Sequence, residues 1–477
     1  MMPIEKTIIS TFQIALSKNH RNISKRKDGQ PMKGYRAVAC GILALVLMWM
    51  LSGCSVIGLD SKALMSPPRE AGDRGEIHDL LLSKNETVNF RYPQKGEYRS
   101  AIIMKDLTGD REDDAIALYE SEDGSGSTVS FISRQDGEWS IIRSFTNAAI
   151  QVDRVCFADL DDDGSTEVIV GWGSSTTNSS TACVYDYSAG GVLEIPMEQG
   201  YGEMAVTNLV DDVQDELFVA TFSSDSSSAV AQLIRLKNGS LQIVEAVTLD
   251  PTVVQYSKVS EGLISTNQQG ILLDGIRADS TMVTQMIYWN SEKEQLKAPY
   301  SDDASQKMNI TSRSPAAAYT SRDMDGNSIL EFPIVNLLPG NTEGTTDPAA
   351  YLVNWCQFDL SSKAPLRIMS TVINSNDGFW FLFPDSWRGT VTCKSDLTDH
   401  STTFYECLDI EGTLTIGSGL LKIQVFNEEE WAQSGKDFVQ IGERGGLIYG
   451  AMIMDSYNQL APSIEEVQES FNYWYLE

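Results

Sequence analysis

The stretch Val155-Cys-Phe-Ala-Asp159-Leu-Asp161-Asp-Asp163-Gly164-Ser-Thr-Glu167-Val-Ile-Val-Gly171 places acids at alternate positions of a short loop between two apolar runs. With Asp159 as position 1, Asp161 is position 3, Asp163 is position 5, Gly164 lets the chain turn, and Glu167 is position 9. Carboxylates so spaced converge to roughly 5 Å, where each like-charged pair costs about 3 kcal/mol at an effective dielectric near 20. A hard cation relieves that repulsion, and Ca²⁺ takes its ligands from carboxylates, carbonyls and water. The pattern is not that of an EF-hand, because the acids end at position 9 and a Val-Ile-Val strand follows at once. For one such loop alone, a solvated acidic hairpin turn is the plain alternative.

The loop recurs. Asp106, Thr108, Asp110 and Asp114 form a first copy between apolar runs, 53 residues before the second. A third holds Asn208, Val210, Asp212 and Glu216, at a step of 49. A fourth, read near Asp274-Gly275, keeps the strand-turn-strand pattern without the acids. The fifth has Asp323, Asp325, Asn327 and Glu331, again 49 residues on. Further strand-like runs joined by polar turns follow each loop, such as residues 127–133 and 140–145 around Asp136-Gly137. Four short strands in about fifty residues is the content of one propeller blade.

These units resemble the FG-GAP (VCBS-like) repeats of integrin alpha-type propellers and of bacterial surface proteins, whose pattern is Asp-x-Asp-Gly-Asp-Gly-x-x-Asp. The resemblance covers roughly residues 98–372. It implies structural Ca²⁺ held by Asp159, Asp161, Asp163 and Glu167, by Asp323, Asp325, Asn327 and Glu331, and by Asp106, Thr108, Asp110 and Asp114. Val210 weakens the third copy, and the fourth is expected to bind nothing. The fold expected is mainly β: a β-propeller of FG-GAP-like blades over residues 87–373, five recognisable and five to seven possible, followed by a small α+β domain at 374–477.

Residues 1–53 read as a lipoprotein signal peptide. Lys25, Arg26, Lys27, Lys33 and Arg36 make a basic flank, and the fifteen apolar positions 37–51 are short for a membrane span. They end in Leu51-Ser52-Gly53-Cys54, which resembles the lipobox of bacterial lipoproteins and implies lipidation at Cys54. The long flank suggests that 1–31 belong to an upstream start. Residues 54–86 are then the lipidated cysteine and a flexible tether, and the location is extracytoplasmic, anchored to the cell membrane by lipid.

Charge narrows the partners. Residues 1–53 hold eight Lys or Arg and two Asp or Glu, so of 36 basic and 66 acidic residues 28 and 64 remain, a net charge of −36. Such a surface repels nucleic acid and suits cations or basic partners. Cys156, Cys183, Cys356, Cys393 and Cys407 form no Cys-x-x-Cys, which argues against zinc. Cys393 and Cys407 flank a predicted hairpin and could form a disulfide, with buried free thiols the favoured reading.

No catalytic constellation stands out. His78 and His400 have no nucleophile or metal ligand at a recognisable spacing. The aromatic run at 378–387 is expected in a core, Asn427 is placed as the cap of a short helix over 428–433, and residues 462–475 as a closing amphipathic helix. The function expected is a binding or scaffold module with Ca²⁺-stabilised loops that presents a face to an extracellular polymer or protein. The alternative is a carbohydrate-active enzyme using loop carboxylates on one face.

Overall fold

The alternation of β-branched and aromatic residues with Asp-Gly and Asn-Gly turns gives a chain built almost wholly of antiparallel sheets. The computed structural model describes residues 72–477, apart from 175–178, 189–190, 225–227, 300–309, 345–347, 411–412 and 476–477. The expected signal peptide, Cys54 and most of the expected tether lie outside the described residues. A helix, α1 (Asp73–Lys84), comes first.

Six sheets follow among the described residues. The first holds β1 (Ile102–Lys105), β2 (Asp114–Glu120), β3 (Ser127–Gln135) and β4 (Glu138–Asn147). The second holds β5 (Gln151–Ala158), β6 (Glu167–Gly173), β7 (Thr181–Ser188) and β8 (Gly191–Pro196). The third is β9 (Glu203–Thr207), β10 (Glu216–Ala220), β11 (Val230–Lys237) and β12 (Ser240–Thr248). The fourth is β13 (Val253–Ser265), β14 (Gln268–Arg277), β15 (Met282–Asn290) and β16 (Gln295–Lys297). In these four, strands pair in chain order, as simple meanders.

The fifth sheet contains β17 (Phe332–Leu337), β18 (Tyr351–Asp359), β19 (Ala364–Asn374) and β20 (Phe379–Leu382). The sixth contains β21 (Val391–Asp396), β22 (Ser401–Ile410), β23 (Thr413–Asn427), β24 (Val439–Arg444) and β25 (Leu447–Ile453). Helix α2 (Glu428–Ser434) leaves the end of β23 with a capping box between Asn427 and Glu430. Helix α3 (Ile464–Ser470) precedes β26 (Phe471–Tyr473), which pairs with β20.

Successive sheets share apolar layers. Ile116 and Phe131 of the first meet Val168 and Tyr185 of the second. Ile169 and Val184 meet Leu217 and Ile234, and Phe218 and Leu233 meet Ile271 and Ile287. Leu272 and Met286 then meet Phe332 and Phe358, and Phe379 and Phe381 meet Phe404 and Ile423. Because each middle strand is covered on both faces, β6 and β10 read as unbroken apolar runs after their first acid. On the first sheet, Ile77 and Leu81 of α1 bury against Ile102, Ala117 and Ile132, each contributing about 1.5–3 kcal/mol.

The structure departs from the sequence reading in the fourth hairpin and in the last helix. The fourth hairpin turns between Ser265 and Gln268, so Asp274 and Gly275 lie within β14 rather than in a loop. Residues 391–453 form the sixth, antiparallel sheet entirely from their own strands, while β20 runs along β19, β26 runs along β20, and the sixth sheet shares its core with the fifth. The last helix ends at Ser470, where alternating Phe471 and Tyr473 turn to strand. Cys393 and Cys407 are free and buried, the favoured reading of the sequence, because register puts Phe404 opposite Cys393 and displaces Cys407 along the hairpin. The aromatics Phe379, Phe381, Phe383 and Trp387 are core residues, as their sequence suggested.

Candidate metal centre

One local device recurs in four hairpins. The acid at position 9 begins or borders the second strand and accepts the backbone N–H of position 2. Asp114 takes Leu107 N at 3.2 Å, Glu167 takes Leu160 N at 2.6 Å, Glu216 takes Leu209 N at 2.8 Å and Glu331 takes Met324 N at 2.7 Å. Leu107, Leu160 and Leu209 are themselves buried, so an apolar anchor and a buried carboxylate fix each loop between them. Position 9 is therefore structural whether or not a cation is held.

The second hairpin has the acids that lack other partners. Asp159, Asp161 and Asp163 bring carboxylate oxygens within 4.8 Å of one another. Gly164 N donates to Asp159 Oδ2 and Ser165 N to Asp163 Oδ1. Left over, buried and without a hydrogen-bond partner, are Asp159 Oδ1, Asp161 Oδ1 and Glu167 Oε1. Glu167 is 0% exposed. Burial, followed by the charges of Asp161, Asp159 and Asp186, pushes its carboxyl up to about 8. Burial and the Asp163 and Asp186 charges likewise raise Asp161.

Asp186 was not among the residues expected from the sequence. In the register of β6 with β7, Val168 faces Tyr185, which sets Asp186 opposite Glu167. It too is buried with an unpartnered Oδ1. Leaving buried carboxylate oxygens unpaired costs several kcal/mol, so this group of acids suits a bound cation.

The residue across the strand from position 9 differs in every unit. Beside Asp114 it is Ser133. Beside Glu216 it is Arg235, whose Nη2 donates to Glu216 Oε1, to Asp212 Oδ1 and to Gln214 O, so a guanidinium sits among the third loop's acids. Opposite Glu331 it is Gln357, which donates to Oε1 at 2.6 Å. The fifth hairpin does gather Asp323, Asp325 and Glu331 within 4.8 Å, but Asp323 already accepts Gly326 N and Ser328 N, and Asn327 bonds Asp325. Asp106, Asp110 and Asp114 do not converge to that degree. There Asp106 accepts Gly109 N and Arg111 N, while Thr108 Oγ1 is buried without a partner.

Neighbouring hairpins interlock. Asp159 N donates to Asp215 Oδ2, Asp215 N donates to Asp159 O, and Thr166 N donates to Leu107 O. An added Cβ at Gly109 would lie 2.6 Å from Gly164 O, so the first and second loops touch where only glycine fits.

The sequence matches no protein-family model and none of the curated proteins. Among solved structures, a protein from Lactobacillus plantarum is similar over 65% of this chain and 82% of its own, with 8% identity and a TM-score of 0.26. An exotype rhamnogalacturonan lyase gives 9% identity over 77% of this chain and 91% of its own, with a TM-score of 0.28. A rhamnogalacturonan lyase from Bacillus licheniformis gives 11% identity over 71% and 72%, with a TM-score of 0.29. None of these superpositions is close enough to carry an activity across.

Among the described residues, no helix is long and apolar enough to cross a membrane. The cation-binding potential thus rests on hairpin geometry alone. It is graded: the second unit leaves four acidic oxygens unsatisfied, the fifth has satisfied its acids by turns and Gln357, and the third has substituted an arginine.

Proposed function

We propose that this chain is a lipid-anchored extracytoplasmic β-propeller, attached through Cys54, that serves as a binding or scaffold module and is stiffened by Ca²⁺ in its hairpin loops. The observation that carries the cation reading is the set of buried, unpartnered carboxylate oxygens on Asp159, Asp161, Glu167 and Asp186. In this reading the second hairpin, with Asp159, Asp161, Asp163 and Glu167, binds most tightly. The fifth (Asp323, Asp325, Asn327, Glu331) and the first (Asp106, Thr108, Asp110, Asp114) bind more weakly. A cation bracing the second loop also braces the loops bonded to it, which suits a rigid surface for an extracellular polymer or protein.

Extracellular Ca²⁺ modules bind on the order of 10⁻⁴ to 10⁻³ M, and a tenfold excess over the dissociation constant adds roughly 1.4 kcal/mol per site. The test is thermal melting of the protein with excess Ca²⁺ and with chelator. A higher melting temperature in Ca²⁺ is expected, and identical melts would overturn the cation reading. Metabolic labelling with a fatty acid, lost in Cys54→Ala, checks the anchor separately.

A further inference from the structure

His400 and Asp377 are 23 residues apart in sequence, yet His400 Nδ1 lies 2.7 Å from Asp377 Oδ1. The two have opposite surroundings. The Asp377 side chain is 4% exposed and that of His400 is 62% exposed. Asp377 is held from every side: Asn374 Nδ2 donates to its Oδ2 at 2.8 Å, its own N–H donates to Asn374 Oδ1, and Tyr449 Oη donates to its carbonyl. Asn374 is fixed in turn by Thr402. His400 itself occupies the left-handed region, at φ 51°, at the end of the turn that enters β22. A buried, fully bonded carboxylate thus fixes the imidazole, whose other nitrogen, Nε2, is left for a ligand.

The pair borders a cleft of about 540 Å³ that also takes in Phe426, Glu430, Arg444 and Trp474. Arg444 is held by its face, with its guanidinium carbon 4.0 Å from the centre of the Tyr475 ring. Its Nη1 reaches Trp474 O at 3.5 Å, and Trp474 N donates to Gly378 O next to Asp377, so short links join the arginine to the His400 support. Arg444 makes no ion pair with a described residue. A stacked guanidinium presents its edge N–H groups, the geometry that pairs with a carboxylate.

We propose that this cleft binds a small monocarboxylate carried on a hydroxylated ring, of the size and chemistry of a sugar acid. The carboxylate pairs with Arg444, and ring hydroxyls bond His400 Nε2 and the free oxygen of Glu430. A dianionic phosphate fits less well, because one guanidinium faces it and Glu430 repels it. The cleft is independent of the cation loops, so it stands if the Ca²⁺ reading fails.

The test follows the histidine ring signals of the full chain by NMR. The chain has three histidines, so His400 is assigned by the signal lost in His400→Asn. D-glucuronate is expected to shift the His400 signal saturably, D-glucose to do so far more weakly, and cyclohexanecarboxylate to bind more weakly than glucuronate. Arg444→Gln is expected to weaken glucuronate roughly 10- to 100-fold, the value of a charged hydrogen-bonded pair, with an unchanged melting temperature because the residue is exposed. No shift with any of the three compounds would overturn the proposal. Equal binding of glucose and glucuronate, or an unaltered Arg444→Gln variant, would remove the carboxylate role, and equal binding of the two acids would remove the hydroxyl role.

Discussion

Arg235 lies across the sheet from Glu216 and donates to its buried carboxylate, at the register position that Asp186 takes beside Glu167. One cross-strand substitution, acid for base, thus separates a loop that is neutralised by protein from a loop whose charge calls for an ion. In the third hairpin Glu216 is 0% exposed, so its counter-charge cannot be replaced by water. Arg235→Ser is expected to lower stability by about 3 kcal/mol, the usual loss when one partner of a buried ion pair is removed. Ca²⁺ should recover only a small part of this, because Val210 supplies no side-chain oxygen at position 3. Urea denaturation of the variant with and without Ca²⁺ measures both numbers.

Asp186→Asn should move stability in opposite directions depending on the ion. With chelator present, the variant removes one of several unpaired acids from a buried cluster and should be more stable than the parent by about 1 kcal/mol. With saturating Ca²⁺ the same change removes a ligand or a close counter-charge, and affinity is expected to fall about tenfold, or 1.4 kcal/mol. Paired melts in chelator and in Ca²⁺ check the crossing. A variant that loses stability equally in both conditions would show that Asp186 has only a packing role.

The raised Glu167 carboxyl links cation binding to pH. Without a cation the group holds its proton up to about pH 8 in the folded chain, whereas the ordinary value is 4.5. The folded state therefore carries more protons than the unfolded one between those values, and stability in chelator should decline as pH rises from 4.5 through 8. Ca²⁺ has to displace that proton. Its apparent affinity should accordingly rise by up to about tenfold per pH unit below 8 and level off above it. Titration calorimetry in buffers of different ionisation heat, at pH 6, 7 and 8, reads the released proton directly.

Sheet content and hairpin positions were legible because position 9 and the apolar residue at position 2 do the same structural work in four units. The fourth unit was misplaced because its two-residue turn, between Ser265 and Gln268, has no acids to mark it. What decides the fate of each acid is one strand away. Ser133, Asp186 and Arg235 each lie 19 residues after their position 9, a regularity visible in the sequence only once the pairing of second and third strands is assumed. In the fifth unit a longer connection to Gln357 hides it. The aromatic segment 378–384 gave its burial correctly but not its partners, since β26 returns from the far end of the chain to pair with it. His400 and Asp377 were invisible as a pair for the same reason: they meet only when the sixth sheet packs on the fifth.

Asp274 and Arg313 show the cost of an acid kept without a loop. Both side chains are 0% exposed and 2.9 Å apart. Asp274 also accepts Thr284 Oγ1 at 2.5 Å and Ser321 N at 2.7 Å, and Arg313 donates to Thr284 Oγ1 and Thr311 O. Burial lowers the arginine's hold on its proton, and the Asp274 charge opposes that shift. The pair ties β14 and β15 to the segment before the fifth hairpin, through Ser321 N to Asp274 of β14 and Arg313 N to Met282 O of β15. Arg313→Met alone should cost about 3–5 kcal/mol, because it strands a charge where no water reaches. Replacing both, Asp274→Leu with Arg313→Met, should cost clearly less than the sum of the single changes, since no lone charge remains. A double-mutant cycle by chemical denaturation measures the coupling, and additive losses would mean that the two side chains contribute by packing rather than by charge.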